Sequence, residues 1–560
     1  MAAARRLYVY GVSAVSLLVL AVGLTQLLTV ALGQLADALG ASILSGDVTA
    51  SLDQLSLAVA LVVVGLPIWV FHWWLAERSV AGAGVDVTAE RRSTIRAVHF
   101  LDVELVALVA WLVASIWLVA WILRVIVGVE EELWGSRPTD WIAIIAVAFG
   151  VWIYHTGLRA RDLRIEQLDG AGAWLPRLYR HAGAFIGLAV AGFGAADAIS
   201  IMLGIIVGRP VFEGGTDWWQ WPLADALARV LIGSTVVGLH WLDAERTIRD
   251  AARLGEDERA TRVRRTYFGA VLVTAAAAVV AAVASSIDSL ATWVLGVSTS
   301  DDLARLAEDV AGPPLAVLPW LVLAVWHVRT SVREGQAFGA ATARSALRVA
   351  GHLLSLVGLA FGAAGLARMV GLLLEATIGR PSLAGELLWR LDLAQGFAFA
   401  VTGAVLWAWH WSGVLRDWTR GEEERATTAS RSYLFLAVGG GLLAAVPSAA
   451  LILYRVLNVV LATIPGARLG DEIATPLGVV LVAALVAAYH GRFLLRDLRT
   501  ARVAAPAAAT TGEGASITVV LRGPAGADVG AVLDGLRRRL PAGFSIESGA
   551  PTLTPPGGPP

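Results

Sequence analysis

The sequence predicts an all-α, polytopic transmembrane helix bundle of about twelve spanning helices, built as six tandem, parallel two-helix repeats. Three observations carry that expectation: composition, a long–short alternation of apolar segments, and polar landmarks that recur in register. The chain has 560 residues, is 57% hydrophobic and 16% charged, and has a mean hydropathy of +0.68. Soluble domains carry about 25% charged residues. A chain this apolar exposes more hydrocarbon than one soluble core hides, so a bilayer is its natural solvent.

The long apolar segments run roughly over Leu7–Val30, Ala97–Val127, Ala182–Val207, Tyr267–Val294, Val349–Leu374 and Tyr433–Ile464. The short ones run roughly over Leu57–Trp74, Trp141–Leu158, Leu223–Leu242, Leu315–Val328, Leu393–Trp411 and Leu477–Gly491. About 20 apolar residues span the hydrocarbon, so the long segments tilt or project beyond it. Leu315–Val328 is the weakest span, because Pro319 interrupts it early.

The pairing of segments rests on landmarks. A histidine stands near the end of each short segment: His72, His155, His240, His327, His410 and His490. The spacing varies only from 80 residues (His410 to His490) to 87 (His240 to His327). Six residues later comes an arginine each time: Arg78, Arg161, Arg246, Arg333, Arg416 and Arg496. An acid adjoins it: Glu77, Asp162, Glu245, Glu334, Asp417 and Asp497. A glycine closes each long segment (Gly33, Gly128, Gly208, Gly296, Gly379, Gly466), and an arginine opens it. Internal duplication explains this recurrence. It sets hairpin boundaries near 1–85, 86–170, 171–255, 256–338, 339–424 and 425–502, making 1–502 the transmembrane domain. It also makes Leu7–Val30 a retained helix rather than a cleaved signal peptide, despite Arg5 and Arg6 before it.

Charge placement sets orientation. All 44 basic residues are arginine. About thirty lie beyond the short segments and about eight beyond the long ones, a strong positive-inside bias. Both termini and the histidine-bearing ends are therefore expected in the cytoplasm, with the chain in the inner membrane of a bacterial cell. Repeats that enter with one orientation are related by an axis along the membrane normal. A ring and two stacked halves both satisfy this. Beyond the last hairpin, 503–515 reads as a linker and 516–548 as a small β-α-β-like segment, with 549–560 a disordered tail.

The stretches Arg5-Arg6-Leu7-Tyr8-Val9-Tyr10 and Gly65-Leu66-Pro67-Ile68-Trp69-Val70-Phe71-His72-Trp73 carry a family resemblance. On them the chain resembles a bacterial membrane family, domain of unknown function 5671, in tandem copies over the transmembrane region. Later copies keep mainly the histidine and arginine. The resemblance implies a membrane location and a helical fold, and no activity or catalytic residues.

Chemistry is limited by what is absent. There is no cysteine, so disulfides, zinc–thiolate sites and thiol nucleophiles are excluded. No nucleotide-binding, serine-hydrolase or zinc-protease motif occurs. Net charge near zero gives no bulk attraction to nucleic acid. No catalytic, cofactor or metal residue is assigned, and no cofactor is expected. The six histidines lie about 9 Å below the interfacial arginines, among tryptophans read as an interface belt that includes Trp69, Trp73, Trp407 and Trp411. They read as hydrogen-bonding staples between the helices of each hairpin, with a metal, haem or proton layer as the other reading. The acid–arginine pairs beside them read as interface anchors.

A second polar layer is Asp197, Asp288, Arg368 and Arg455. Three of these stand eleven residues before a closing glycine, so they share a depth. Charges there face the bundle interior, as structural ion pairs or as a polar path. Arg124 and Glu375 read as interfacial, and His99, Asp102 and Glu104 as a solvated helix end. The expected role is non-enzymatic, as scaffold, sensor or membrane-organising protein, with partners being the bilayer and a protein, or a second copy, at the C-terminal segment. The alternative is a transporter or channel using the intramembrane Asp and Arg residues.

Overall fold

A computed structural model describes residues 2–40, 51–81, 85–129, 138–165, 171–207, 218–250, 258–298, 303–378, 386–419, 425, 427–461 and 469–504. The proposed linker, β-α-β segment and tail lie outside these residues, apart from 503–504, which are helical. The chain divides into two compact units, Met1–Asp497 and Leu498–Pro560. The first contains every apolar segment.

The described residues are helical, and twelve helices are long and apolar enough to cross a membrane. In chain order the elements are α1 (Ala2–Ala38), α2 (Ser51–Val80), α3 (Val85–Arg91), α4 (Thr94–Ile126), α5 (Pro138–Ile165), α6 (Ala171–Val207) and α7 (Gln220–Asp250). Then come α8 (Arg262–Val294), α9 (Leu303–Ala316), α10 (Leu318–Ala337), α11 (Ala340–Ile378), α12 (Glu386–Trp418), α13 (Thr428–Val460) and α14 (Leu469–Ala504). Backbone amides have no water to bond in hydrocarbon, so each spanning segment must satisfy them internally as a helix.

Helix boundaries follow local chemistry. Gly128 and Gly296 take φ of +78° and +67° just past α4 and α8, the left-handed geometry that lets the chain turn back on the last carbonyls. Gly33 does not play that part. It lies inside α1, which runs on to Ala38, and Gly40 (φ +70°) follows its end. Pro319 does break the fourth short segment: α9 ends at Ala316, Val317 is non-helical, and Pro319 sits in the first turn of α10, where a missing N–H costs no helix bond.

The long helices α1, α4, α6, α8, α11 and α13 lie side by side in chain order, each against the next. Each short helix packs on the long helix of its own hairpin. From the second hairpin onward it also meets the long helix of the hairpin before. Every extensive helix contact among the described residues joins the same or consecutive hairpins. Among the described residues, each hairpin packs on its neighbours in chain order.

Close approach depends on glycine in the odd-numbered hairpins. Seven residues before their histidines stand Gly65, Gly233 and Gly403, against Leu20, Ala191 and Gly362 of the paired long helix. A Cβ on Gly233 would lie 2.5 Å from the Ala191 backbone nitrogen, so the helices touch backbone to backbone there. Gly23, Gly194 and Gly365 make the reciprocal approach from the long helices.

Candidate functional site: an aromatic–histidine box in each pair of hairpins

The aromatic residues and histidines recur with a period of two hairpins, so the hairpins are grouped in pairs, each a four-helix domain. The first four-helix domain holds α1, α2, α4 and α5. The second runs from α6 to α10, and the third from α11 to α14. Each has one buried aromatic cluster toward its arginine-rich end. The clusters centre on Tyr10, Trp73 and Phe100; on Tyr267 and Phe268 with Trp241 against them; and on Trp411, Tyr433 and Leu434. Trp73 and Trp411, read from sequence as interface belt, are core residues. Their indoles donate instead to the Tyr154 and Tyr489 hydroxyls, at 2.7 and 2.9 Å.

The landmark histidines sit in or beside these clusters. Nδ1 of His72, His155, His240, His327 and His490 lies 2.7–3.0 Å from the carbonyl four residues earlier. The N–H is therefore on Nδ1, and Nε2 is left as an acceptor. Tyrosine hydroxyls of the paired long helix fill that role: Tyr8 on His72, Tyr179 on His240, Tyr267 on His327 and Tyr433 on His490, at 3.1–3.3 Å. Two hairpins depart. In the fifth hairpin the structural counterpart of Arg6 and Arg177 is Arg348 rather than Arg344; the residue two places on, where the others have Tyr8 and Tyr179, is Ala350, and His410 has no tyrosine bond among the described residues. In the second hairpin His99 stands where Tyr267 and Tyr433 stand in theirs.

His99 changes the first domain. It is buried, stacks on Trp73 with centroids 5.3 Å apart, and lies 6.0 Å from the His155 ring. Nε2 of His155 and both ring nitrogens of His99 make no hydrogen bond among the described residues. The expectation of a solvated helix end at His99 and Glu104 is therefore corrected. Glu104 is fully buried, with Arg159 Nε 2.8 Å from Oε1, because α5 covers this face of α4. Asp102 alone of the three is exposed.

Beneath the aromatic layer lies a buried arginine. Arg96, 1% exposed, donates to Glu77 (2.8 Å), Asp162 (2.7 Å) and the Tyr10 hydroxyl (3.0 Å). Arg264 reaches Glu245 and Glu334, both at 2.7 Å, and its guanidinium lies 4.8 Å from the Trp241 ring. Four acids read as interface anchors are thus the partners of two buried cations. The third domain replaces the set together: Ser430 stands for the arginine and Leu415 for the odd-hairpin acid, while Asp497 takes Arg425 at 2.9 Å. Sequence spacing located the acids. It missed Arg96 and Arg264, which lie among many interfacial arginines and differ from them only in being covered.

The second polar layer is also paired, with partners the sequence did not single out. Asp197 meets Arg229 of α7 at 2.7 Å, Arg455 meets Glu472 of α14 at 2.6 Å, and Arg368 bonds Asp392 of α12. Each pair joins the two helices of one hairpin. Arg124 is not interfacial but buried, bonded to Asp225 of α7 and 3.6 Å from the Trp221 ring. Asp288 lies within the electrostatic reach of Arg368, and its Oδ1 has no hydrogen bond. No group of three or more potential metal-ligating side chains occurs among the described residues.

These features define a multi-pass helical membrane protein assembled from repeated four-helix units. The family described as Domain of unknown function (DUF5671) matches residues 6–151, 177–322 and 348–485, three tandem copies that each begin on the first long helix of a four-helix unit and end within its last short helix. The chain belongs to that family. Comparisons with curated proteins and with solved structures give no match.

Proposed function

We propose that this protein is a non-enzymatic membrane scaffold, whose polar residues lock hairpins that pack in chain order. The observation that carries this reading is local pairing. Asp197, Arg368 and Arg455 are each neutralised inside their own hairpin, and four of six histidines are tied to the paired helix. Charges on membrane-crossing helices are stabilised by pairing, and pairing within each hairpin stabilises a repeat unit without building a continuous path. In this reading the arginine-rich end faces the cytoplasm of a bacterial cell, following the positive-inside bias. The sequence beyond the last helix then offers a docking element for a protein partner or a second copy.

Asp288 favours a second reading, transport, because its Oδ1 is buried without a hydrogen bond within the electrostatic reach of Arg368. Purified protein in liposomes, with proton- and chloride-sensitive dyes inside, separates the two. The scaffold reading expects no flux above protein-free vesicles. Flux that Asp288→Asn abolishes, in a variant that still elutes as a folded species, supports transport instead.

A further inference from the structure

The three four-helix domains share one more feature, and they differ in how it is filled. Between the two long helices and the second short helix of each domain lies an apolar cleft. In the first domain it has a volume of about 480 Å³ and in the third about 790 Å³. In the second the same place is occupied by Trp320, which is fully buried and packs on Phe193 with ring centroids 4.9 Å apart.

The register makes the comparison residue by residue. Trp320 lies seven residues before His327; the equivalent residues before His155 and His490 are Ala148 and Ala483. Both alanines line the open clefts. On the facing long helix, fifteen residues after the opening arginine, the second domain has Gly192. A Cβ there would fall 2.7 Å from the Trp320 ring. The equivalents are Ala21 and Ala363, which also line the clefts. Large side chain opposite glycine, and alanine opposite alanine, are matched choices: one closes the cleft and the other leaves it open.

We propose that the first and third clefts each hold an acyl chain of a membrane phospholipid, and that Trp320 is a built-in plug that closes the equivalent place in the middle domain. The clefts run along membrane-crossing helices, so the medium that reaches them is hydrocarbon. The third is lined along α11 from Leu356 to Leu372, a rise of about 24 Å, against a hydrocarbon core of about 30 Å. Its walls are mostly Ala, Leu, Val and Gly, which offer few hydrogen-bond partners for water. An empty cleft of this size forfeits dispersion contacts on every wall. In the third cleft polar groups collect at one end, where Arg368, Asp392 and Glu375 offer charges to a headgroup while the chain lies below. The first cleft has Thr25 and Gln26 at the same end, with Gln26 Oε1 buried and unbonded, and Asp102 at the opposite, arginine-rich end.

The test uses the full chain in phosphatidylcholine–phosphatidylglycerol nanodiscs. A small share of the phospholipid carries a diazirine midway along one acyl chain. After photolysis, peptide mass spectrometry compares cleft-lining residues with Leu443 on the outer face of α13. The expected wild-type pattern is labelling of Gly440 and Val479 at least fivefold above Leu443, with no such excess at the equivalent Thr274 and Ala316 of the middle domain. Ala483→Trp removes the excess in the third domain alone, Ala148→Trp removes it in the first alone, and Trp320→Ala creates it in the second. Should a plugged variant fail to fold, Ala483→Leu and Ala148→Leu provide partial plugs with a graded loss. Cleft labelling no higher than at Leu443, or unchanged by filling Ala483 and Ala148, overturns the proposal. So does protein-to-protein cross-linking at the cleft, which would show a second copy lying there.

Discussion

The first and second four-helix domains have the same helices, the same buried Arg–acid cluster and the same Trp, yet they solve the centre differently. In the second, Tyr267 completes His327 and Trp320 fills the space toward the other end. In the first, His99 leaves His155 incomplete and Ala148 leaves a cleft. Duplication supplied one scaffold. Three exchanges, Tyr267 for His99, Trp320 for Ala148 and Gly192 for Ala21, made one copy closed and hydrogen-bonded, and left the other open with His155 Nε2 buried and unbonded. The repeated residues hold the fold, whereas the departures from repetition mark where a site has room to exist.

The largest effect expected from this comparison is at the buried cation. Arg264→Ala leaves Glu245 and Glu334 unneutralised and should cost about 3–5 kcal/mol, read as a fall in thermal midpoint in mild detergent. The same test at Ser430, its counterpart in the third domain, should cost only about 1 kcal/mol, because it loses a hydrogen bond with Trp418 and no charge. Equal losses at the two sites would break the idea that Arg and its acids were exchanged as a set.

A smaller effect, of opposite sign in the two domains, is expected at the imidazoles. Tyr267→Phe strands Nε2 of His327 and should destabilise by about 1–3 kcal/mol. His99→Tyr should stabilise by up to about 1 kcal/mol, by donating a hydroxyl to His155 as in the other domains. Denaturation in detergent measures both. A His99→Tyr variant less stable than wild type would show that the His99 imidazole makes a favourable interaction of its own.

The smallest effect concerns the outer ion pairs. The Asp197 and Arg229 side chains are 53% and 32% exposed, so a double-mutant cycle with Asn and Gln should give a coupling of only about 0.2–1 kcal/mol. A coupling several times larger would mean that the pair is sealed from solvent and lipid headgroups alike.

Much of the architecture was legible in the chain. Spacing of the histidines and their following arginines predicted the hairpins, because duplication copies positions and the bilayer forces each apolar run into a helix. The kink at Pro319 was legible because proline acts through its own backbone. The end of α1 was misread at Gly33, since a glycine closes a helix only where the chain takes the left-handed turn, here at Gly40. The burial of Arg96, Arg124 and Glu104 was hidden, because an arginine near a helix end reads the same whether lipid headgroups or a neighbouring helix cover it.

The sequence by itself determined the apolar character, the helix count and the repeat. All three derive from composition and position along one chain. Only the tertiary structure decided how each hairpin packs on its neighbours and which charge meets which. Those depend on side chains from helices far apart in sequence arriving at one place, where glycine permits close approach and a single residue such as Trp320 or Ala483 decides whether space remains.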